Sequence, residues 1–374
     1  MLVGGGTGGH ILPLLAVARK LKKDQKNIRI VAVIDKTTRF AHLLESSNDI
    51  DRVMRISAGK LRRYPNQGLT ETILDIKTTV LNIRDGFRMI AGVFQAIGLL
   101  RQQQPDVIFI KGGFVGVPVG IAARLNRVPF VTHDSDASPG LANKIIARWA
   151  RMHTVGLDKS LYSYPDTKTI QVGIPTAVEF KNVTRELKKA YRKEIGVPAS
   201  AKLIFVTGGS QGAQSLNDII SCISHSLIAE KDIYVIHQTG RYISPDLPVD
   251  NDQYRTVEYL ANLYCYSGAA DVILSRTGST MAEFAAQGKA VVGVPAPQLA
   301  GGHQVKNAEI LQKANAAIVL KESDLKADPK KLLTTLLDLL NDTDKQKELT
   351  ENLAKVYPPN AADKITEVLI RMAE

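Results

Sequence analysis

The sequence predicts an α/β protein made of two parallel-sheet halves. Short β-branched runs alternate with helix-like stretches, and the runs give way to glycine-rich or polar loops. The whole series then restarts in the second half. At 374 residues the chain is longer than one hydrophobic core usually holds, so two domains are expected. A hydrophobic content of 44% with 23% charged residues is ordinary for a globular chain.

The first series contains the strand-like runs 28–34, 107–110 and 128–132, with a helix-like stretch at 12–21. The second contains 203–207, 233–237, 272–274 and 290–294. Between them lie Val172-Gly173-Ile174-Pro175 and a charged helical stretch, 185–193, which place the domain boundary near residue 172. The last segment, 361–374, has helical spacing with Ile365, Val368 and Leu369 on its apolar face.

Composition excludes several classes. No apolar run reaches the ~18 residues of a membrane span. The opening Met1-Leu2-Val3 lacks the basic and apolar regions of a signal peptide. The two cysteines, Cys222 and Cys265, make neither a disulfide framework nor a four-ligand zinc site, and both are expected to be buried. The net charge of +11 is unevenly placed. Residues 1–172 carry 25 basic and 13 acidic side chains, the remainder 23 and 24. Such a basic half suits an anionic partner, whether an acidic membrane surface or a phosphorylated substrate; a solvated surface without a partner is the alternative. Nucleic acid is not expected, because no aromatic residues interleave a basic motif.

Three glycine loops carry the chemistry. Gly4-Gly5-Gly6-Thr7-Gly8-Gly9-His10 follows a very short strand and precedes a helix. Glycines there let backbone N–H groups approach a ligand, and the helix N-terminus favours negative charge. Alone it resembles a dinucleotide fingerprint, with Asp35 as a weak ribose-binding acid. Lys111-Gly112-Gly113-Phe114-Val115-Gly116 repeats the arrangement in the same half, and Thr207-Gly208-Gly209-Ser210-Gln211-Gly212-Ala213 repeats it in the other. Two phosphate-type loops in one half fit a simple dehydrogenase poorly. Further on, Ser279 or Thr280 is placed to cap the helix bearing Glu283, whose carboxylate also suits a ribose diol. Gln304 and Asn307 bring amides to a loop–helix junction suited to sugar hydroxyls.

Taken in order, these segments resemble the peptidoglycan N-acetylglucosaminyltransferases of glycosyltransferase family 28. The matching stretches also include Ser57-Ala58-Gly59-Lys60-Leu61-Arg62-Arg63, His133-Asp134-Ser135-Asp136, Pro139-Gly140-Leu141-Ala142-Asn143, His237-Gln238-Thr239-Gly240 and Ser275-Arg276-Thr277-Gly278. The resemblance implies a GT-B fold: two Rossmann-like domains facing across a cleft. Residues 1–172 would form the acceptor and membrane-associating domain, 173–358 the donor domain, and 359–374 a helix returning to the first. It implies an inverting transfer of GlcNAc from UDP-GlcNAc to the C4 hydroxyl of lipid I, giving lipid II, with no metal and no cofactor.

Residue roles follow from the same resemblance. His10 is the general base, a role its residue type suits independently, with a purely hydrogen-bonding histidine as the rival. Thr7, Gly8, Gly9, Asp136, Ser210, Gln211, Leu260, Gly278, Ser279, Thr280, Glu283 and Gln304 bind the donor. Gly5, Gly6, Gly112, Gly113 and Phe114 bind the acceptor diphosphate. The implied setting is peripheral, on the cytoplasmic face of the bacterial membrane, with cell-wall synthesis proteins as further partners. The stretch 81–100 supplies Ile83, Phe87, Met89, Ile90, Val93, Phe94, Ile97, Leu99 and Leu100 among Arg84, Arg88 and Arg101, with Lys60, Arg62 and Arg63 upstream. It suits an anionic lipid surface, or else a core face.

The chain departs from the family pattern at four places. Ala177 stands where a donor-site arginine is usual, with Arg276 a possible substitute. The stretch from Gly278 to Glu283 is one residue short, and Asp134 and Asp136 replace Glu and Asn. The first strand is also clipped. Rival readings are a transferase with another lipid or glycan acceptor, a nucleotide-sugar epimerase, a non-catalytic nucleotide-sugar-binding protein and an NAD-dependent oxidoreductase.

Overall fold

The computed structural model describes residues 1–6, 8–38, 40–60, 76–209, 212–248, 251–298 and 302–374. The chain divides into two compact units, Met1–Ala177 with Asn360–Glu374, and Val178–Pro359.

The first unit is a seven-stranded parallel sheet: β1 (Leu2–Val3), β2 (Val31–Asp35), β3 (Arg52–Ile56), β4 (Ile108–Ile110), β5 (Phe130–Asp134), β6 (Met152–Val155) and β7 (Thr169–Gln171). The order is β3-β2-β1-β4-β5-β6-β7. Leu2 pairs with Ala32 on one side and Phe109 on the other. The order therefore reverses between β1 and β4, and the loops leaving those two strands part there. In an open parallel sheet such a switch point is where ligands bind. Loops 4–10 and 111–116 are those loops.

Helices α1 (Gly8–Asp24), α2 (Ala41–Glu45), α3 (Ile76–Gln103), α4 (Gly116–Asn126) and α5 (Leu141–Ile146) accompany this sheet. One apolar layer joins Ile11, Leu14 and Val17 of α1 to Leu2, Ala32 and Phe109. Another joins Ala96, Leu99 and Leu100 of α3 to Val3, Ile110 and Val119. Both faces of the strands are thus covered, which is why they read as continuous apolar runs.

The second unit repeats the plan with six strands: β8 (Lys202–Thr207), β9 (Ile233–Gln238), β10 (Tyr254–Val257), β11 (Val272–Ser275), β12 (Ala290–Gly293) and β13 (Ile318–Val319). All pairs are parallel, in the order β10-β9-β8-β11-β12-β13. Here the switch point falls between β8 and β11, under loops 208–213 and 276–279. The helices are α6 (Arg185–Glu194), α7 (Gln214–Ile228), α8 (Leu263–Ala269), α9 (Thr280–Gln287), α10 (His303–Lys313), α11 (Glu322–Ala327), α12 (Lys330–Asn341) and α13 (Thr343–Val356).

The last helix, α14 (Ala361–Ala373), belongs to the first unit. Ile365 and Leu369 are buried beside Leu14, Val17 and Leu21. Lys20 bonds both Asp363 and Asp24 at 2.9 Å.

Three sequence expectations change. The run 28–34 becomes a strand only from Val31, because the Ile28 N–H closes a turn onto Gln25 after α1. Cys222 is exposed on α7 rather than buried, its thiol bonding the Asp218 carbonyl; Cys265 is buried. On α3 the apolar stretch splits. Ala96, Leu99 and Leu100 are buried, whereas Ile83, Phe87, Ile90 and Phe94 are 56–71% exposed, as is Val80 at 58%. Arg62 and Arg63 lie outside the described residues.

Candidate active site

In the first unit the two glycine loops abut. A Cβ on Gly113 would lie 2.5 Å from the Gly5 carbonyl oxygen, and Gly113 has φ +81°, so no other residue fits there without moving the first loop. Gly5 in turn packs on Asp35, whose carboxylate accepts from the Thr37 N–H at 2.9 Å and from the Thr37 and Thr38 hydroxyls. Thr38 Oγ1 accepts from the Gly6 N–H at 3.3 Å. Asp35 is therefore occupied in holding the loop, not left over for a ribose. Inside α1, Pro13 lacks the N–H that would bond the Gly9 carbonyl.

His10 Nδ1 lies 2.7 Å from the Gly5 carbonyl oxygen. A carbonyl only accepts, so Nδ1 carries the proton and Nε2 carries the lone pair. Nε2 faces the second loop, 3.6 Å from where a Cβ on Gly112 would stand. Burial, then the Lys111 ammonium, push the His10 pKa down to about 4, against the opposing pull of the Gly5 bond and Asp136. At neutral pH His10 is an uncharged acceptor.

The floor beneath these loops is a polar network. Buried Asp134 accepts from the Gly140 N–H (2.9 Å), Asn143 Nδ2 (2.9 Å) and the Tyr164 hydroxyl (2.8 Å), tying segment 135–140 to the end of β5. Burial nevertheless raises its pKa. His133 contacts Thr154 and Ser135, and burial holds it neutral. The Tyr162 hydroxyl donates to the Asp136 carbonyl at 2.8 Å, fixing that residue's backbone. Asn143 donates also to the His133 carbonyl, while its own Oδ1 is buried without a partner among the described residues.

In the second unit Gly212 (φ +74°) lies where a Cβ would meet the Thr239 carbonyl oxygen at 2.2 Å, so this loop is pressed onto segment 239–240. Asn217 clamps that segment through the Thr239 (2.8 Å) and Tyr242 (2.7 Å) carbonyls, with His237 Nε2 3.0 Å from Asn217 Oδ1. Gln304 Oε1 accepts from the Ala296 N–H at 2.9 Å. Its Nε2 is directed at the Gly278 loop, 3.7 Å from a Cβ built there. Asn307 and Thr277 brace the same junction.

Glu283 sits in the first turn of α9, half-buried, and burial pushes its pKa up to about 8. Among the described residues no hydrogen bond to its carboxylate is found. Ser279 occupies the N-cap position without a side-chain cap bond. Leu260 is buried in the turn after β10.

Thus Gly5, Gly6, Gly8, Gly9, His10, Gly112, Gly113, Phe114 and Asp136 gather at the switch point of the first sheet. Gly278, Ser279, Thr280, Glu283 and Gln304 gather at that of the second, and Leu260 stands after β10. Thr7, Ser210 and Gln211 lie outside the described residues. Arg276 does not offer a spare cation. It is buried, ion-paired to Glu322 at 2.8 Å and bonded to the Ser215 hydroxyl at 2.6 Å. Sequence reasoning missed Asp134 and Asn143 as the support of the first loops. Both stood in family-like stretches, but nothing in the sequence says that Asp134, at the end of β5, and Asn143, on α5, meet beneath those loops.

Comparison with known proteins follows the same division. Residues 1–154 match the glycosyltransferase family 28 N-terminal domain, and residues 203–365 match the glycosyltransferase family 28 C-terminal domain. A UDP-N-acetylglucosamine–N-acetylmuramyl-(pentapeptide) pyrophosphoryl-undecaprenol N-acetylglucosamine transferase of Caldicellulosiruptor saccharolyticus is 31% identical, over 98% of this chain and 95% of its own. The transferase of that name from Salinibacter ruber is also 31% identical, over 100% and 96%. The crystal structure of Acinetobacter baumannii MurG superposes with a TM-score of 0.71 at 22% identity, covering 99% of each chain. A putative UDP-N-acetylglucosamine 2-epimerase from Listeria monocytogenes reaches 0.68 at 12% identity, over 100% and 96%. Fold likeness alone therefore does not separate transfer from epimerisation; the sequence likeness does.

Proposed function

This chain belongs to glycosyltransferase family 28, and we propose that it transfers GlcNAc from UDP-GlcNAc to the C4 hydroxyl of lipid I, giving lipid II. The observation that carries the reading is the His10 tautomer: Nδ1–H is committed to the Gly5 carbonyl, leaving Nε2 as acceptor beside the second glycine loop. In this reaction the acceptor O4 attacks C1 of GlcNAc from the face opposite the diphosphate. The C4–OH proton passes to His10 Nε2, the C1–O bond breaks, and UDP leaves with the bonding pair, so the anomeric centre inverts.

Loops 4–10 and 111–116 hold the acceptor diphosphate through their own N–H groups and the N-terminus of α1. Gln304 serves the GlcNAc hydroxyls and Glu283 the ribose diol. The transfer is proposed to need no metal and no cofactor.

The acceptor is lipid-linked, so we place the enzyme peripherally on the cytoplasmic face of the membrane. None of the described helices is long and apolar enough to cross a bilayer. The exposed stripe Val80, Ile83, Phe87, Ile90, Phe94 on α3 supports a face lying on lipid. So does an open cavity of about 570 Å³ lined by Arg124, Arg127, Arg148, Arg151 and Lys168, which suits anionic headgroups.

Incubating the purified chain with UDP-GlcNAc and a lipid I analogue tests the reading. UDP release with a β-linked disaccharide, unchanged by chelator, is the expected result. Donor binding without turnover would instead indicate a nucleotide-sugar-binding protein, and activity lost to chelator would end the metal-free mechanism.

A further inference from the structure

We infer that the Lys111 ammonium is the counter-charge for a diphosphate bound at the two glycine loops of the first unit. The inference rests on those loops being a ligand site, as proposed above.

Lys111 is only 4% exposed, at the end of β4. A buried ammonium normally earns its place by hydrogen bonds to carbonyls or carboxylates. The chain provides its own comparison in Lys289, equally buried, whose Nζ donates to the Gly268 (2.6 Å) and Ala270 (3.0 Å) carbonyls. That lysine closes the end of α8 and is satisfied by the fold. For Lys111, no hydrogen bond or ion pair of Nζ is found among the described residues. The nearby acids act on it only through space. Asp134 is already engaged by three donors. The fold therefore keeps a desolvated cation that it does not itself bond.

What surrounds Lys111 is built for anions. The backbone N–H groups of Gly112, Gly113 and Phe114 have no acceptor among the described residues. α4 follows directly at Gly116, its first amides taken up by the Gly113 and Phe114 carbonyls, whereas α1 opens at Gly8 in the adjoining loop, where the helix N-terminus favours negative charge. Lys111 acts electrostatically on His10 in that adjoining loop. Two abutting sets of N–H donors with one cation serving both suit two linked phosphates better than a single carboxylate. The diphosphate can come from the lipid-linked acceptor or from the nucleotide sugar, since both carry one.

Lys111→Met keeps the length of the side chain and removes its charge; Lys111→Arg keeps the charge. Inorganic pyrophosphate is the probe, read by calorimetry on the full chain alongside the thermal midpoint without ligand. In Lys111→Met we expect pyrophosphate to bind at least tenfold more weakly, with an unchanged or higher midpoint because a desolvated charge has gone. Lys111→Arg should recover most of the affinity. In turnover, a raised KM for the lipid I analogue alone assigns the acceptor diphosphate, and a raised KM for UDP-GlcNAc alone assigns the donor's. Pyrophosphate affinity unchanged in Lys111→Met would overturn the inference. A midpoint lowered in Lys111→Met and restored in Lys111→Arg, with affinity alike in both, would overturn it as well, by making the charge structural. Pyrophosphate binding needs no acceptor, so failure of the lipid I reaction leaves this test intact.

Discussion

In the proposed transfer, two single side chains act through their protonation. His10 is neutral above a pKa of about 4, well below its ordinary value, so the active base form is present across the physiological range. The acid limb of kcat/KM should accordingly fall near pH 4 rather than near 6.5. Bound diphosphate adds negative charge beside the ring and raises its pKa, so the limb for kcat should lie higher than that for kcat/KM. His10→Ala should lower kcat at least about a hundredfold, the usual scale of a general base; near-complete turnover in that variant would remove the assignment. Glu283 behaves in the opposite sense. Its pKa of about 8 makes it mostly protonated at neutrality without ligand, and ionised above that. An ionised carboxylate accepts from both hydroxyls of a ribose diol, so UDP affinity should rise with pH through about 8. Glu283→Gln should abolish that rise, and titration calorimetry between pH 6 and 9 reads both. The glycine loops and Glu283 were legible as residues in a pattern. The His10 tautomer was not, because it depends on a carbonyl five residues away meeting the ring in space.

Among the elements, strands buried on both faces were readable from their unbroken apolar runs, as β4, β8 and β11 show. The edge strand β3 was not, since Arg52 and Arg55 interrupt a half-exposed run. β7 and β13 are too short to stand out. Helix α3 was ambiguous for a different reason: its apolar residues serve two environments at once, and spacing alone does not say which is wet. The structure divides them, with Asp85 buried between Arg84 and Arg88 and the stripe from Val80 to Phe94 outward. Phe87→Glu with Phe94→Glu should weaken cosedimentation with phosphatidylglycerol vesicles while leaving the thermal midpoint nearly unchanged, as both side chains are about 70% exposed. Equal vesicle binding in variant and parent would refute the membrane assignment for this helix.

Across the molecule, histidines with lowered pKa values are unevenly shared. His10, His133 and His153 in the first unit and His237 in the second all have lowered pKa values, each mainly through burial. As pH falls from about 6.5 towards 4, the unfolded chain takes up protons that the folded units refuse, so folding stability declines. Three such groups against one make the first unit the more acid-sensitive, by roughly 1.4 kcal/mol for each pKa unit of displacement. Hydrogen exchange during acidification from pH 7 to 4 should show amides of β1–β6 opening before those of β8–β12; the reverse order would contradict this. The charge asymmetry between the halves was visible in composition. The placement of α14 was not fixed by its own periodicity, which says that a face is buried but not where.

That placement has a consequence for synthesis. Ile365 and Leu369 complete a layer whose other members, Ile11, Leu14 and Val17, leave the ribosome some 350 residues earlier. The second unit is encoded without interruption between them and has its own core. The part made first is therefore finished last. The first unit stays incomplete through the whole of synthesis, with α1 uncovered, and a chaperone that recognises apolar helix faces has its longest opportunity there.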